Sequence, residues 1–195
     1  MKRLKTGRQN SLRIIGGSLR RRKITFPDTE GLKPTSDRVR ETLFNWLKDS
    51  IKASTCIDLF AGSGALGIEA LSRGAERAVF IEKDTAAAKA IEQNLNRLGL
   101  ETGEVTKCEA IRWLQTTKLV KAKFTIAFID PPFADDICQV CNQLANSDFL
   151  QVSGKIYIEA GAQLPEADLP GNWMKLKQKK AGQVHYYLFE NYAVF

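Results

Sequence analysis

Cys56-Ile57-Asp58-Leu59-Phe60-Ala61-Gly62-Ser63-Gly64-Ala65-Leu66-Gly67 decides the fold: an apolar strand enters a glycine-rich turn and leaves it as a helix. The strand ends at Leu59 or Phe60. Gly62 and Gly64 let the backbone turn tightly and come close to a ligand, and Gly67 lets helix and strand pack closely. Glycine spacing of this kind also serves dinucleotide sites, which set G-x-G-x-x-G beneath a pyrophosphate at the helix N-terminus. Here an acid, Asp58, precedes the turn. An acid beside exposed backbone N–H groups suits a ligand that offers an ammonium and a carboxylate instead.

Asp58-x-Phe60-x-Gly62-x-Gly64 resembles motif I of the S-adenosylmethionine-dependent methyltransferases, whose cofactor has such an amino-acid end. On that resemblance Asp58, Phe60, Ala61, Gly62 and Gly64 hold the cofactor. The next strand, Ala78-Val-Phe-Ile-Glu82-Lys83-Asp84, carries an acid at its carboxyl end. In a doubly wound sheet a carboxylate about twenty residues past the first turn accepts ribose hydroxyls. Glu82, flanked by Lys83, is the candidate and Asp84 its competitor. A helix over Thr85 to Leu98 ends at Gly99, and a third short strand leads to Glu109 and Ala110, whose position suits the adenine edge through side chain or backbone N–H.

Phe124-Thr-Ile-Ala-Phe-Ile-Asp130 is a continuous apolar run, the pattern of a central parallel strand covered on both faces. It delivers Asp130-Pro131-Pro132-Phe133 to the same sheet edge. Two consecutive prolines continue neither a sheet nor a helix, so they stiffen the turn. The chemistry of an exocyclic amine asks for such rigidity, because its lone pair is delocalised into the ring. An acceptor at Asp130 and the carbonyl of Pro131 can bind both N–H groups and draw the nitrogen toward tetrahedral geometry, with Phe133 stacked on the base. Delivered to the same edge as the cofactor turn, Asp130 is a cofactor-binding candidate as well as a catalytic one.

Charge is uneven. The chain of 195 residues carries a formal net charge of +7, and residues 1–52 hold 14 Lys and Arg against 5 Asp and Glu, leaving 15 against 17 beyond. A basic flank of this kind suits a polyanion, although a solvated charged face has the same composition. Ser11-Leu-Arg-Ile-Ile15 and Ser18-Leu-Arg-Arg-Arg-Lys-Ile-Thr-Phe26 read as two strands joined at a Gly16-Gly17 hairpin turn. Ile14, Leu19 and Ile24 would anchor the ribbon while Arg13, Arg20, Arg21, Arg22 and Lys23 grip phosphates. A helix begins near Thr35-Ser36-Asp37, any of which can cap it, with Glu41 as a capping-box acid and Val39, Leu43, Trp46 and Leu47 as its apolar stripe. Thr35, Asp37 and Arg38 at its start are candidates for the cofactor's methionine end.

The remaining segments complete a sheet: a helix over 135–146, a strand over 155–160 and a hairpin over 174–190 turning at Ala181-Gly182. The first ten residues lack the apolar core of a signal peptide, and no run is apolar enough to span a membrane, so a cytoplasmic protein is expected. Four spread cysteines are expected to be reduced. Cys138-x-x-Cys141 lacks a second pair, so helix packing is the expected role and no metal is expected.

Together, Arg13-Ile-Ile-Gly-Gly17, Asp37-Arg-Val-Arg-Glu-Thr-Leu-Phe-Asn-Trp46, Asp58-Leu-Phe-Ala-Gly-Ser-Gly64 and Asp130-Pro-Pro-Phe133 resemble the RsmD family of bacterial 16S rRNA guanine-N2 methyltransferases over about residues 11–190. The resemblance implies an α/β, Rossmann-like class I methyltransferase fold with a mostly parallel seven-stranded sheet, an antiparallel C-terminal strand and an N-terminal β-hairpin. It divides the chain into a basic RNA-binding extension, 1–34, and a methyltransferase domain, 35–195. It implies S-adenosylmethionine as cofactor, S-adenosylhomocysteine as product, Asp130, Pro131, Pro132 and Phe133 as the catalytic motif, and a guanine numbered 966 in the usual rRNA scheme. The partner implied is 16S rRNA within the small subunit or an assembly intermediate, acted on by a monomer. The motif alone equally admits adenine-N6 or a glutamine side chain as the amine, and an RNA-binding module that keeps the fold without catalysis.

Overall fold

The computed structural model describes residues 9–28, 35–118, 123–132 and 136–193. In chain order the elements are β1 (Gln9–Arg13), β2 (Lys23–Pro27), α1 (Asp37–Trp46), β3 (Thr55–Asp58), α2 (Ala65–Ser72), β4 (Arg77–Glu82), α3 (Thr85–Leu98), β5 (Gly103–Lys107), α4 (Ala110–Thr116), β6 (Phe124–Ile129), α5 (Ile137–Asn146), β7 (Leu150–Ala160), β8 (Trp173–Ala181) and β9 (Val184–Asn191). β1 and β2 form a two-stranded antiparallel sheet, and the other seven strands form one sheet in the order β5-β4-β3-β6-β7-β9-β8. β3 to β7 run parallel, while β9 is antiparallel to both neighbours.

Apolar residues at every position make the central strands, because both faces must be covered. Cys56, Ile126, Phe128 and Tyr157 face one way, into a cluster with Leu43, Phe44, Ile68 and Ile91 of α1 to α3. Ile57, Ala127, Ile129 and Ile158 face the other way, against Trp113, Leu114, Val140 and Leu144 of α4 and α5. Each fully buried Ile or Phe contributes about 1.5–3 kcal/mol. From β3 the chain winds outward through β4 and β5, then returns to β6 on the opposite side. The carboxyl ends of β3 and β6 therefore frame the crevice where such sheets take ligands. Of the cysteines, all four free, Cys141 is buried on α5 as helix packing.

The N-terminal hairpin differs from expectation in its turn. Strand pairing ends at Arg13↔Lys23, and residues 14–22 form a broader loop closed by Ile14 N–H on Arg22 O (2.9 Å) and Arg21 N–H on Ile14 O (2.8 Å). Gly16 and Gly17 instead meet α2. Ser18 N–H donates to Ser72 O (2.7 Å), and Ser72 Oγ donates to Gly16 O (2.6 Å). A Cβ on Gly17, whose φ is +75°, would lie 1.8 Å from that Ser72 oxygen. Backbone-to-backbone approach, rather than a two-residue turn, is what requires glycine here. Covered by the hairpin on its outer side, α2 is buried at all eight positions.

Burial of α2 brings its acid, Glu69, fully inside. Glu69 accepts N–H groups from Ile15 (2.9 Å) and Gly16 (2.7 Å) and Arg73 Nε (2.8 Å), and lies 3.5 Å from Arg40 Nη1. Arg40, also fully buried, donates to Thr35 O (3.3 Å), Arg13 O (3.0 Å) and Asp37 Oδ1 (2.5 Å). A buried pair of this kind is tolerated because Arg40 Nε and Nη2 and both Glu69 oxygens have hydrogen-bond partners, although Arg40 Nη1, which faces Glu69, has none. The hairpin, α1 and α2 are thereby tied by one polar network.

Candidate active site

Four strand ends deliver the candidate residues to one edge of the sheet. Asp58 ends β3, Glu82 ends β4, Glu109 follows β5, and Asp130 follows β6. Between Asp58 and α2, Gly62 (φ +52°) and Gly64 (φ +76°) take left-handed conformations, and a Cβ at Gly64 would press on Ile91 and Ile68 at 3.1 and 3.2 Å. Gly67 packs against Phe80, whose ring would sit 2.2 Å from an added Cβ, so its expected role in close packing is met. Ala61 is buried, and Phe60 is half-buried beside the second cluster.

Asp58 is 2% exposed, and its Oδ2 accepts only a long bond from Gly67 N–H (3.3 Å) while Oδ1 has no partner. Burial pushes its carboxyl up to about 7, and nearby Glu82 adds to the rise against the N–H groups of Gly67 and Phe60. An orphaned buried carboxylate oxygen is a costly feature that a cationic ligand group would relieve. Glu82 ties two loops together: Oε2 accepts Gly62 N–H and Oε1 accepts Asp84 N–H, both at 2.7 Å. Its competitor Asp84 caps α3 through Ala87 N–H (2.8 Å). Lys83 is exposed. Glu109 caps α4, accepting from Ile111 and Arg112 N–H at 3.0 and 2.8 Å, and Ala110 follows as the first residue of that helix.

Asp130 is half-buried, and its Oδ2 accepts the Thr35 hydroxyl at 3.1 Å. Burial raises its carboxyl well above the usual range, with Glu159 as the next cause. Pro131 is buried and Pro132 exposed, while Phe133 lies outside the described residues. Ser36 caps α1 through Val39 N–H (3.4 Å), which puts Thr35 just before the helix and Glu41 beyond capping-box reach. Asp37 is committed to Arg40, and Arg38 is exposed. The structure therefore brings Asp58, the glycine turn, Glu82, Thr35 and Asp130 to a common edge. Arg13, Arg20, Arg21, Arg22 and Lys23 are all exposed on the hairpin.

Sequence reasoning passed over Glu159, the last residue but one of β7, which is 8% exposed and neighbours Asp130. Its signal was the one used for Glu82: an acid closing an apolar strand. Arg40 and Glu69 were also passed over. Arg40 shares the helical stripe of Leu43, Phe44 and Leu47, and that spacing was its signal. Among the described residues, no cluster of His, Cys, Asp or Glu is arranged for a metal ion.

A family profile described as Conserved hypothetical protein 95 matches residues 12–190. Ribosomal RNA small subunit methyltransferase D of Escherichia coli (strain K12) is 42% identical over 183 residues, covering 93% of this chain and 91% of that one. The chain belongs to the RsmD family. The Haemophilus influenzae protein of the same name is 40% identical over 195 residues, covering 98% and 100%. A solved structure, the putative methyltransferase yhhF from Escherichia coli, has a TM-score of 0.86 at 42% identity and covers 95% of this chain and all of that one. The α/β Rossmann-like methyltransferase sheet expected from sequence is the one observed. RsmD proteins are S-adenosylmethionine-dependent methyltransferases, and Asp58 fits that cofactor with a free buried oxygen for an ammonium. The N–H groups of Gly62 and Gly64, expected to be exposed for a ligand, donate instead to Glu82 Oε2 (2.7 Å) and Ala61 O (2.6 Å), because the tight turn closes on itself and on β4.

Proposed function

We propose that this chain transfers a methyl group from S-adenosylmethionine to the exocyclic N2 amine of a guanine in 16S rRNA, by family resemblance the guanine numbered 966, and that it acts as a cytoplasmic monomer on the small subunit or an assembly intermediate. The observation that carries the reading is the Asp130 carboxyl, held by Thr35 at 3.1 Å and followed by two prolines, at the sheet edge that also carries the orphaned Asp58 oxygen. Family membership supports the rRNA substrate. The names of the relatives at 40–42% identity speak of small-subunit ribosomal RNA.

When bound, S-adenosylmethionine supplies an electrophilic methyl group on a sulfonium and leaves as the neutral thioether S-adenosylhomocysteine. Asp58 would hold its amino-acid end beside the turn of Phe60, Ala61, Gly62 and Gly64, with Thr35, Asp37 and Arg38 nearby; Glu82 and Lys83 would serve the ribose, and Glu109 and Ala110 the adenine. Asp130 and the Pro131 carbonyl accept the two amine N–H groups, turning the nitrogen lone pair toward the methyl carbon. Transfer of that methyl from the sulfonium would leave the amine nitrogen cationic, and Asp130 or water would take one of its protons. Orientation of this kind supplies most of the rate, since no covalent enzyme intermediate is needed. Pro132 keeps the turn rigid, and Phe133 stacks on the base.

The hairpin within residues 1–34 is the RNA grip, through Arg13, Arg20, Arg21, Arg22 and Lys23. The test is transfer of labelled methyl to naked 16S rRNA, to small subunits from cells lacking this gene, and to DNA, followed by nucleoside analysis. N2-methylguanosine in either RNA sample is expected. Label as N6-methyladenosine or only in DNA would move the reading to another amino methyltransferase, and no label despite cofactor binding would leave an RNA-binding module.

A further inference from the structure

β6 and β7 are parallel neighbours with Phe128 beside Tyr157 and Ile129 beside Ile158. Continuing that register, Asp130, just past β6, stands beside Glu159, still paired with Tyr186 of β9, at about one strand spacing of 4.8 Å. Both belong to the face that carries Phe128 and Tyr157, since side chains alternate. The Tyr157 hydroxyl donates to Glu159 Oε2 at 2.9 Å, and the Thr35 hydroxyl donates to Asp130 Oδ2 at 3.1 Å. Among the described residues, neither acid forms an ion pair with a Lys or Arg. Two neighbouring carboxyls, one buried and one half-buried, without a cation are unfavourable by themselves, and Glu159 adds to the rise that burial gives the Asp130 carboxyl. A ligand edge with adjacent N–H donors reverses that balance.

We propose that Glu159 is the base-selecting residue of this site: its carboxylate accepts the N1–H of the target guanine while Asp130 and Pro131 hold the neighbouring N2 amine. Guanine presents N1–H and N2–H groups next to one another on its Watson–Crick edge, matching two acceptors on adjacent strands. Adenine presents an acceptor at N1 beside its amine, which meets the Glu159 carboxylate unfavourably. Tyr157 and Thr35 position the pair, Tyr157 from two residues back on the same strand face. Asp130 handles the reacting amine in either case, so Glu159 supplies the discrimination that the Asp-Pro-Pro motif lacks. A buried site built to bond a donor rejects an analogue without it by large factors.

This inference rests on the guanine-N2 reading. Its test uses rRNA in which the target guanine is replaced by 2-aminopurine, which keeps the N2 amine but has a bare acceptor at N1. Wild-type protein is expected to methylate the 2-aminopurine RNA about 10²-fold or more slowly than the guanine RNA. In Glu159→Gln, whose amide can turn either a donor or an acceptor to N1, that ratio should shrink at least about tenfold, with S-adenosylmethionine affinity retained as a check on folding. Tyr157→Phe, which frees Glu159 from its donor, should shift the ratio in the same direction by less. An unchanged ratio in both variants, with guanine still methylated, overturns the role of Glu159 and leaves the guanine-N2 reading intact. Absence of N2-methylguanosine with wild-type protein and guanine RNA overturns both.

Discussion

Asp58 and Asp130 are acids of one sheet edge with different burdens. Asp58 is fully enclosed with one oxygen unbonded, and its carboxyl is raised to about 7 by burial. A cationic ligand group favours its ionised form, so cofactor affinity should increase with pH across the neutral range. In Asp58→Asn that pH dependence should vanish and affinity should fall about 10–100-fold, the loss of one hydrogen bond to a charged group, as titration calorimetry at pH 6 and pH 8 would measure. Asp130→Ala should lower the transfer rate about 10²–10³-fold while RNA binding persists, measured in single-turnover assays beside a filter-binding assay. Unchanged transfer would remove Asp130 from the chemistry. These residues were legible in the sequence because each closes an apolar strand. The partner of Asp130 was harder to read: Thr35 lies 95 positions away, and only the fold joins them.

Among the elements, the hairpin and α2 show where sequence patterns mislead. Gly16-Gly17 between two strand-like runs looks like a turn, yet its backbone is pressed against the end of α2, 1.8 Å from where a Cβ at Gly17 would stand. Local pattern encodes the pair of strands but says nothing of the surface that demands the glycines. Gly17→Ala therefore combines a left-handed φ with a backbone clash and should destabilise the protein by about 1–3 kcal/mol, read from urea unfolding. An alanine that costs nothing would mean that the contact with Ser72 is dispensable. On the other side of the same loop, Arg20, Arg21 and Arg22 are exposed. Replacing all three by Ala should weaken RNA binding and flatten the slope of log affinity against log salt by about 2, if each meets one phosphate of single-stranded RNA. Strand and helix bounds were read to within a few residues for α2, α3 and β6, whose caps and apolar runs are strong. β7 is longer than expected: it begins at Leu150, and its start is set off from the apolar run after Lys155 by Ser153, at φ +63°, and by a shift in its pairing register with β6 between Phe124 and Ile126.

For the whole molecule, pH acts through the same buried acids. Asp58, Asp130 and Glu159 all hold their protons to higher pH than free carboxyls, with burial as the leading cause. A carboxyl with a raised folded value stabilises the fold most below its unfolded value, and that contribution is lost as the pH rises through the folded value. For Asp58 the window runs from 3.8 to about 7. The cofactor-free protein should therefore melt at lower temperature at pH 8 than at pH 5, and Asp58→Asn should recover part of the difference in a thermal scan. Equal melting temperatures would mean that the site opens to water in solution. The overall architecture was legible because alternating apolar strands and capped helices leave few sheet topologies. The tight joining of hairpin to core was not, since it depends on Arg40 and Glu69 meeting across 29 positions of chain.

That joining has a metric consequence. The glycine turn sits at the start of α2, and the hairpin is fastened at its other end, so eight residues of helix, about 12 Å, separate the proposed cofactor turn from the basic loop. If the loop grips phosphates, the protein works as a caliper. The methylated base is then selected by its distance from a gripped stretch of backbone, and lengthening the arm by one helical turn would shift which nucleotide the open jaw reaches.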